Sequence, residues 1–210
     1  MAPVHLLFDF GEVISVAQPA GEVAALAALA GLPVAEFTRR YWAHRPGYDA
    51  GGTALTYWSG ILGAAPGGVL LRRLVELDVA SWLHLNPGTL RLLDTLHAAG
   101  TPVSLLSNAP YELARELDRH ADLAPFRHRL FSADLALVKP DPRCYAAAVA
   151  RLGTEPGSVV FVDDRPANIE AAAALGMTGI VFTGTPGCLA EVARAAVTPS
   201  DTRTGRARPR

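Results

Sequence analysis

One stretch decides the fold: Val4-His5-Leu6-Leu7-Phe8-Asp9, in which a hydrophobic strand candidate ends in a carboxylate. Two further apolar runs also end in polar side chains: residues 103–106 lead into Ser107 and Asn108, and residues 159–162 lead into Asp163 and Asp164. In an open parallel α/β sheet, ligands bind in the crevice outside the carboxyl ends of the strands. We therefore expect these polar groups to converge on one site, although they lie far apart in the sequence.

Helix signals separate the strand candidates. A capping side chain followed by proline predicts helix starts at Asn86 and Asp141, and glycine predicts the matching helix ends at Gly100 and Gly153. A fourth strand candidate covers residues 179–182. The alternation of strands and helices predicts an α/β fold, a Rossmann-like three-layer core in which helices cover both faces of a parallel sheet.

Residues 16–85 follow a different pattern. Helical periodicity covers residues 23–32, 34–42, 53–62 and 69–83, and no good strand candidate interrupts them. We predict a small inserted α-helical cap at residues 16–85, over a core formed by residues 1–15 and 86–197. A single helical cap favours a small, enclosed substrate over a protein or a polymer.

The C-terminal residues 198–210 differ again, with four arginines against one acid and almost no apolar side chains. Such a segment buries too little surface to offset the entropy of ordering it, so we predict a disordered basic tail. A tether for a small anionic partner is the alternative.

Composition limits the class of protein. The 210 residues suit one domain, or one core with an insertion, and half of them are hydrophobic. The net charge of −1 argues against a broad nucleic-acid surface, and no apolar run reaches the length of a membrane span. Cys144 and Cys188 are too isolated for a disulfide framework or a zinc site. We expect a cytoplasmic monomer or homodimer without a nucleic-acid or membrane partner.

The strand-end residues carry recognisable chemistry. Asp9 follows a buried-looking strand, where a carboxylate is costly unless it is paired or bound to a metal. The adjacent carboxylates of Asp163 and Asp164 repel each other and need a cation, and Mg²⁺ prefers oxygen ligands. Lys139 is the only lysine of the chain and follows an apolar loop, which favours a buried anionic partner. Ser107 offers a hydroxyl donor.

Four segments in this order resemble the motifs of the haloacid dehalogenase superfamily, whose members are mostly phosphatases. They are Phe8-Asp9-Phe10-Gly11-Glu12-Val13-Ile14, Leu105-Leu106-Ser107-Asn108, Lys139-Pro140 and Phe161-Val162-Asp163-Asp164-Arg165-Pro166-Ala167-Asn168. The resemblance implies a Mg²⁺-dependent phosphomonoesterase that acts on a small phosphorylated metabolite, with a sugar phosphate as one candidate.

The resemblance also implies roles for individual residues. Asp9 is the nucleophile, which forms an aspartyl-phosphate, and Lys139 and Ser107 assist it. Ser107, Lys139 and Asn108 bind the substrate. Magnesium is bound by Asp9, Asp164 and the Gly11 carbonyl, with Asp163 direct or through water.

One position departs from the family pattern. Phosphatases of this superfamily usually carry a second aspartate two residues after the nucleophile, as general acid and base, and this chain has Gly11 there. A cap residue, Glu12 or a good leaving group are possible replacements. The departure keeps two alternatives open: a 2-haloacid dehalogenase, and a catalytically weak ligand-binding or regulatory member of the fold. Within the cap, Arg45 is a candidate for binding an anionic substrate group, with a solvated arginine as the alternative.

Overall fold

A five-stranded parallel sheet forms the centre of the computed structural model, which describes residues 4–197. The strand order is β3-β2-β1-β4-β5. The strands are His5–Phe8 (β1), Val103–Ser107 (β2), His128–Phe131 (β3), Val159–Asp163 (β4) and Thr178–Val181 (β5). Within the sheet, Phe8 pairs with Leu105 on one side and with Val162 on the other. This register brings the carboxyl ends of β1, β2 and β4 side by side.

Ten helices accompany the sheet in the described part of the chain. They are Ala20–Leu29 (α1), Val34–Asp49 (α2), Ala54–Leu62 (α3), Gly68–Ser81 (α4), Pro87–Ala98 (α5), Tyr111–Arg119 (α6), Ser132–Leu135 (α7), Pro142–Leu152 (α8), Pro166–Ala174 (α9) and Pro186–Val197 (α10). Two short 3₁₀ turns, Ala121–Leu123 and Pro156–Ser158, complete the set.

The alternating side chains of β1 build one core on each face of the sheet. Leu6 and Phe8 belong to a cluster that includes side chains of α5, α6 and α10. Leu7 points the other way and belongs to a cluster with side chains of α8 and α9. Successive residues of a strand face opposite sides, so a continuous apolar strand can serve two helical layers. The predicted three-layer, Rossmann-like α/β fold is confirmed.

The predicted helix caps form as the local sequence indicates. Asn86 Oδ1 accepts hydrogen bonds from the backbone amides of Gly88 at 2.9 Å and Thr89 at 3.4 Å. Asp141 Oδ1 accepts one from the amide of Arg143 at 2.9 Å. These contacts satisfy amides that the first helical turn leaves unpaired.

The inserted segment 16–85, here called the cap segment, contains α1 to α4 and a hydrophobic cluster of its own. Phe37, Tyr57 and Trp58 lie in this cluster, and Trp58 is fully buried. An antiparallel bridge between Ser15 and Leu85 joins the chain where it enters and leaves the segment. The segment is therefore tied together at its base, shortly after the end of β1 in the sequence.

The strand β3 and the end of the helix α2 differ from the prediction. The strand β3 was not predicted, because only its last two residues, Leu130 and Phe131, are buried and its first half carries His128 and Arg129. The helix α2 continues to Asp49 rather than ending near residue 42, and it contains Pro46 in its interior. The tail predicted at residues 198–210 lies outside the described residues.

Within residues 4–197, no single helix is long and apolar enough to cross a membrane. The bent pair formed by α1 and α2, which meet at 89°, satisfies the criteria of length and composition only when the two helices are combined.

His5 should make the stability of the sheet depend on pH. Its Nε2 lies 2.9 Å from Ser104 Oγ, and burial, followed by the charges of His128 and Arg127, lowers the pKa of His5 to about 4. His5 therefore binds a proton near pH 6.5 in the unfolded chain but only near pH 4 in the folded protein. We expect unfolding free energy to be fully retained above pH 6.5 and to fall by up to about 3 kcal/mol as the pH drops through this window.

Urea unfolding of the wild type and of His5→Gln between pH 7 and pH 4 measures this contribution. The variant should lose stability less steeply, because glutamine does not titrate. Parallel curves for the two proteins would assign the pH dependence to other groups.

Candidate active site

The polar groups that follow β1, β2 and β4 surround one cavity of about 110 Å³ beneath the cap segment. Every predicted site residue except Asp163 lines it: Asp9, Gly11, Arg45, Ser107, Asn108, Lys139 and Asp164. Asp163 lies directly behind the wall and contacts Lys139. The sheet topology thus brings together residues that are up to 155 positions apart, as their positions at strand ends predicted.

Lys139 is the buried cation of the site. Its Nζ lies 2.7 Å from Asp9 Oδ1 and 2.7 Å from Asp163 Oδ2, and its side chain is 1% exposed. Burial alone would lower the pKa of Lys139, but the charges of Asp9 and Asp163 outweigh burial and raise it. The lysine therefore remains an ammonium ion that fixes the orientation of both carboxylates.

Both oxygens of Asp163 are occupied by hydrogen bonds from the protein. Asn168 Nδ2 lies 2.9 Å from Oδ1 and 3.0 Å from Oδ2, and the Arg165 amide donates to Oδ1 at 2.8 Å. Lys139 donates to Oδ2. Asp163 is fully buried. This carboxylate is built into the protein as the anchor of Lys139.

The carboxylates of Asp9 and Asp164 accept fewer hydrogen bonds from the protein than that of Asp163. The Phe10 amide and Lys139 donate to Asp9 Oδ1, and within residues 4–197 no hydrogen bond reaches Asp9 Oδ2. No other described residue donates a hydrogen bond to the Asp164 carboxylate. Ligand oxygens of Asp9, Asp163 and Asp164 all lie within 4.8 Å of one another. This donor set suits a small cation that prefers oxygen ligands.

The burial and mutual repulsion of these carboxylates also favour a bound cation. Burial raises the pKa of Asp9, an effect that Lys139 reduces and Asp163 increases. Burial, the charge of Asp163 and that of Glu12 raise the pKa of Asp164 to about 6. The protein alone thus disfavours ionisation of these two carboxylates, and a bound divalent cation would favour it.

The last residue of β2 and the residue after it supply two further groups. Ser107 is 3% exposed, and no hydrogen bond from the described residues occupies its hydroxyl. Asn108 exchanges hydrogen bonds with the backbone of Lys139, from Nδ2 to the carbonyl at 3.0 Å and from the amide to Oδ1 at 2.8 Å. Ser107 is free to contact a ligand, whereas the Asn108 side chain holds the lysine loop in place.

Arg45 reaches the cavity from α2, but it is engaged by carboxylates of the cap segment. Its Nε donates to Asp49 Oδ1 at 2.7 Å, and its Nη1 lies 3.5 Å from Asp78 Oδ2 and also contacts the Tyr41 hydroxyl. The Arg45 guanidinium also lies 5.7 Å from the centre of the Trp82 ring. Arg45 is 4% exposed, so the solvated alternative is wrong.

We expect Arg45→Leu to lower the free energy of unfolding by about 3–5 kcal/mol, because it leaves Asp49 and Asp78 buried without their cation. Arg39→Leu is the matched control on the same helix. The ion pair of Arg39 with Glu36 is exposed, so its loss should cost far less than the loss of Arg45. Urea unfolding at pH 7 measures both. Equal costs for the two variants would contradict a structural role for Arg45.

Of the cavity residues, the sequence indicated Asp49 only as part of a polar-aromatic stretch of the cap, without a role of its own, and it did not indicate Trp82. The spacing of Arg45 and Asp49 by one helical turn was an available signal, but it required α2 to continue through Pro46. Trp82 follows α4 and lies against Gly11, where an added Cβ would meet Trp82 Cζ3 at 3.5 Å. Gly11 is not in the left-handed region, so its backbone does not require glycine.

Comparison with known proteins gives this geometry a context. Over 105 residues the chain is 33% identical to (S)-2-haloacid dehalogenase 1 of Pseudomonas sp. (strain CBS-3), covering 50% of this chain and 46% of that protein. Over 107 residues it is 34% identical to the phosphoglycolate phosphatase of Rhodospirillum rubrum, covering 50% and 44%. The chain therefore spans somewhat less than half the length of these relatives.

A solved structure extends the likeness to the fold. A haloacid dehalogenase family enzyme from Bacteroides thetaiotaomicron, an Asp-to-Ala variant in complex with magnesium and inorganic phosphate, superposes with a TM-score of 0.71 and 18% identity, over 87% of this chain and 95% of that one. In addition, residues 6–176 match the sequence model of the haloacid dehalogenase-like hydrolases. The chain belongs to the haloacid dehalogenase-like hydrolase family.

Proposed function

We propose that this hydrolase is a Mg²⁺-dependent phosphomonoesterase that acts on a small phosphorylated metabolite through an aspartyl-phosphate intermediate. The observation that carries the proposal is the group of Asp9, Asp163 and Asp164, whose oxygens lie within 4.8 Å of one another beside a single ammonium, Lys139. Three carboxylates and one ammonium leave excess negative charge in a site that must also accept a phosphate. A divalent cation relieves this repulsion.

The residues present fit such a cation. Asp9 and Asp164 offer carboxylate oxygens that are free of hydrogen bonds from other described side chains, apart from the Lys139 contact to Asp9 Oδ1. With the Gly11 carbonyl, they would hold Mg²⁺, which keeps several waters and needs few protein ligands. When bound, the ion would neutralise charge on the phosphate oxygens.

The protein groups have separate roles in this proposal. An Asp9 carboxylate oxygen attacks phosphorus, while Lys139 holds Oδ1 and leaves Oδ2 available. The Ser107 hydroxyl donates a hydrogen bond to a phosphate oxygen, and Lys139 balances the charge. Asp163 and Asn108 act on the lysine, one through its ammonium and the other through its backbone.

The size of the cavity supports a small substrate. Its volume of about 110 Å³, enclosed between core and cap side chains, leaves space for a small ligand. Trp42 and Trp82 form part of its wall, with ring centres 6.3 Å apart. A phosphate with a short organic group suits this space, and a small sugar phosphate remains one candidate. The two free, buried cysteines suit the reduced cytoplasm that we propose as its location.

A 2-haloacid dehalogenase is the second candidate, because relatives with that activity align with the chain. A haloacid carries a carboxylate, and the guanidinium that would receive it, Arg45, already faces Asp49 and Asp78. The negative balance of the cavity therefore favours the phosphatase.

A screen of phosphorylated metabolites and 2-haloacids, with and without Mg²⁺, tests the proposal. We expect phosphate release from at least one small phosphate ester, and its loss when EDTA removes the metal. Halide release that persists in EDTA, without phosphate release, would replace the proposal with the dehalogenase.

A further inference from the structure

The cavity contains a carboxylate outside the metal group that the roles above do not use. Asp49, the last residue of α2, lines the same cavity as Asp9 and Lys139. The charge of Lys139 acts on the Asp49 carboxyl, so the two groups lie within electrostatic reach.

The backbone of Asp49 is fixed to the core next to Ala109, in the segment that follows β2. Its carbonyl accepts a hydrogen bond from Ser132 Oγ at 2.6 Å, and the same Oγ accepts one from the amide of Ala109 at 2.9 Å. Ala109 lies two residues after Ser107. The Ser132 hydroxyl thus connects the end of α2 to the segment that follows Ser107, the residue proposed to contact the phosphate.

The charge balance around Asp49 leaves room for a proton. Arg45 pairs with two buried carboxylates, those of Asp49 and Asp78, and within residues 4–197 no other cation forms an ion pair with either of them. Burial raises the pKa of both carboxyls against the opposing effect of Arg45. One proton shared by this group removes the uncompensated negative charge.

The two carboxylates differ in their free oxygens. Asp78 accepts a hydrogen bond from Tyr41 at Oδ1, at 2.6 Å, and faces Arg45 with Oδ2. Asp49 uses Oδ1 for Arg45, and no hydrogen bond from residues 4–197 reaches its Oδ2. Asp49 also keeps 11% of its side chain exposed, and of the two only Asp49 lines the cavity. A proton on Asp49 Oδ2 can therefore face a substrate.

We propose that Asp49 is the general acid and base of this enzyme, supplied by the cap helix in place of the side chain that Gly11 lacks. The inference rests on the proposed phosphatase function. The usual position for the acid adjoins the nucleophile in sequence, whereas Asp49 reaches the cavity from the end of α2.

The proton balance of the reaction follows. Asp9 forms a bond to phosphorus as the ester P–O bond breaks, and the electron pair passes to the leaving oxygen, which takes the Asp49 proton and departs as an alcohol. The Asp49 carboxylate then takes a proton from water as the water oxygen attacks phosphorus. The bond between Asp9 and phosphorus breaks, its electron pair returns to Asp9, and Asp49 is protonated again.

Glu12 is the rival for this role, because it also lines the cavity and its charge acts on Asp164. Its backbone adopts a φ of 56°, and its side chain is exposed. An exposed carboxylate next to the metal group suits a role in attracting cations better than one in delivering a proton to a leaving group.

Two substrates of similar size and different leaving groups test the inference. Benzyl phosphate releases a strongly basic alkoxide that needs a proton, whereas 4-nitrophenyl phosphate releases a stable phenolate that does not. We expect Asp49→Asn to lower kcat on benzyl phosphate by ~10²–10⁴-fold and kcat on 4-nitrophenyl phosphate by less than ~10-fold. The retained aryl activity shows that the variant is folded.

Asp78→Asn and Glu12→Gln are the matched controls. Asp78→Asn also removes a carboxylate partner of Arg45, but it should lower both rates by one common factor. The inference is overturned if Asp49→Asn affects both substrates equally or neither, or if Asp78→Asn or Glu12→Gln reproduces the selective loss. Failure of the wild-type protein to hydrolyse either phosphate would overturn the phosphatase itself, a result distinguishable from failure of Asp49 alone.

Discussion

Asp9→Asn is expected to lower kcat by roughly 10⁴-fold or more, while the protein stays folded. The carboxamide has the shape of the carboxylate, but it is not a nucleophile that can form the acyl phosphate. Asp9 is one of three neighbouring carboxylates, and burial disfavours its charge. Lys139 retains Asp163 as a partner at 2.7 Å. We therefore expect the free energy of unfolding to stay the same or to rise.

Two measurements check this result. Kinetics on 4-nitrophenyl phosphate with saturating Mg²⁺ give the loss of turnover, and urea unfolding of the metal-free proteins gives the stability. Wild-type enzyme quenched in acid during turnover should gain the mass of a phosphoryl group, and the variant should not. Asp134→Asn, an exposed carboxylate paired with Arg115, is the control. Turnover at the wild-type level by purified Asp9→Asn would exclude the covalent mechanism.

The fold was predictable where its signals are local. A few neighbouring residues are enough to predict the helix caps at Asn86 and Asp141. The same holds for the strands formed by the apolar runs before Asp9 and Asp163. The edge strand β3 has no such signal, because half of it is polar and it exists through pairing with β2. The extension of α2 contradicts local propensity, since Pro46 and Gly47 both disfavour a helix interior. Contacts with the core hold it instead.

Those contacts show why the rest of the site could not be predicted. The Tyr48 hydroxyl donates to Glu112 at 2.8 Å, across 64 positions of the sequence, and both residues lie on helices whose packing no local pattern fixes. The positions of the candidate ligands follow from topology, because strand ends in a parallel sheet share one edge. Their partners do not. That Lys139 joins Asp9 to Asp163, or that Arg45 lies between Asp49 and Asp78, depends on distances set only by the folded chain.

Asp164→Ala is expected to raise the Mg²⁺ concentration for half-maximal activity by more than about 100-fold. Loss of a residue that only supports a metal ligand typically costs 10–100-fold in affinity, so loss of a direct ligand should cost more. Among the three clustered carboxylates, that of Asp164 accepts no hydrogen bond from another described residue, which leaves it available to the ion. The variant should also lose the repulsion between Asp163 and Asp164, which contributes to the raised pKa of Asp164. Its metal-free form should therefore fold normally.

Asp163→Asn separates metal binding from the support of Lys139. Its carboxylate is occupied by Lys139, Asn168 and the Arg165 amide, so we expect lower kcat without a comparable change in Mg²⁺ requirement. Unfolding measured against Mg²⁺ concentration gives a readout that is independent of turnover. Mg²⁺ at 100 times the Kd of the protein in question should raise the free energy of unfolding of the wild type and of Asp163→Asn by about 2.7 kcal/mol. The concentration used for the wild type should leave the free energy of unfolding of Asp164→Ala nearly unchanged. The reverse pattern, with Asp163→Asn blind to Mg²⁺ and Asp164→Ala stabilised, would make Asp163 the direct ligand.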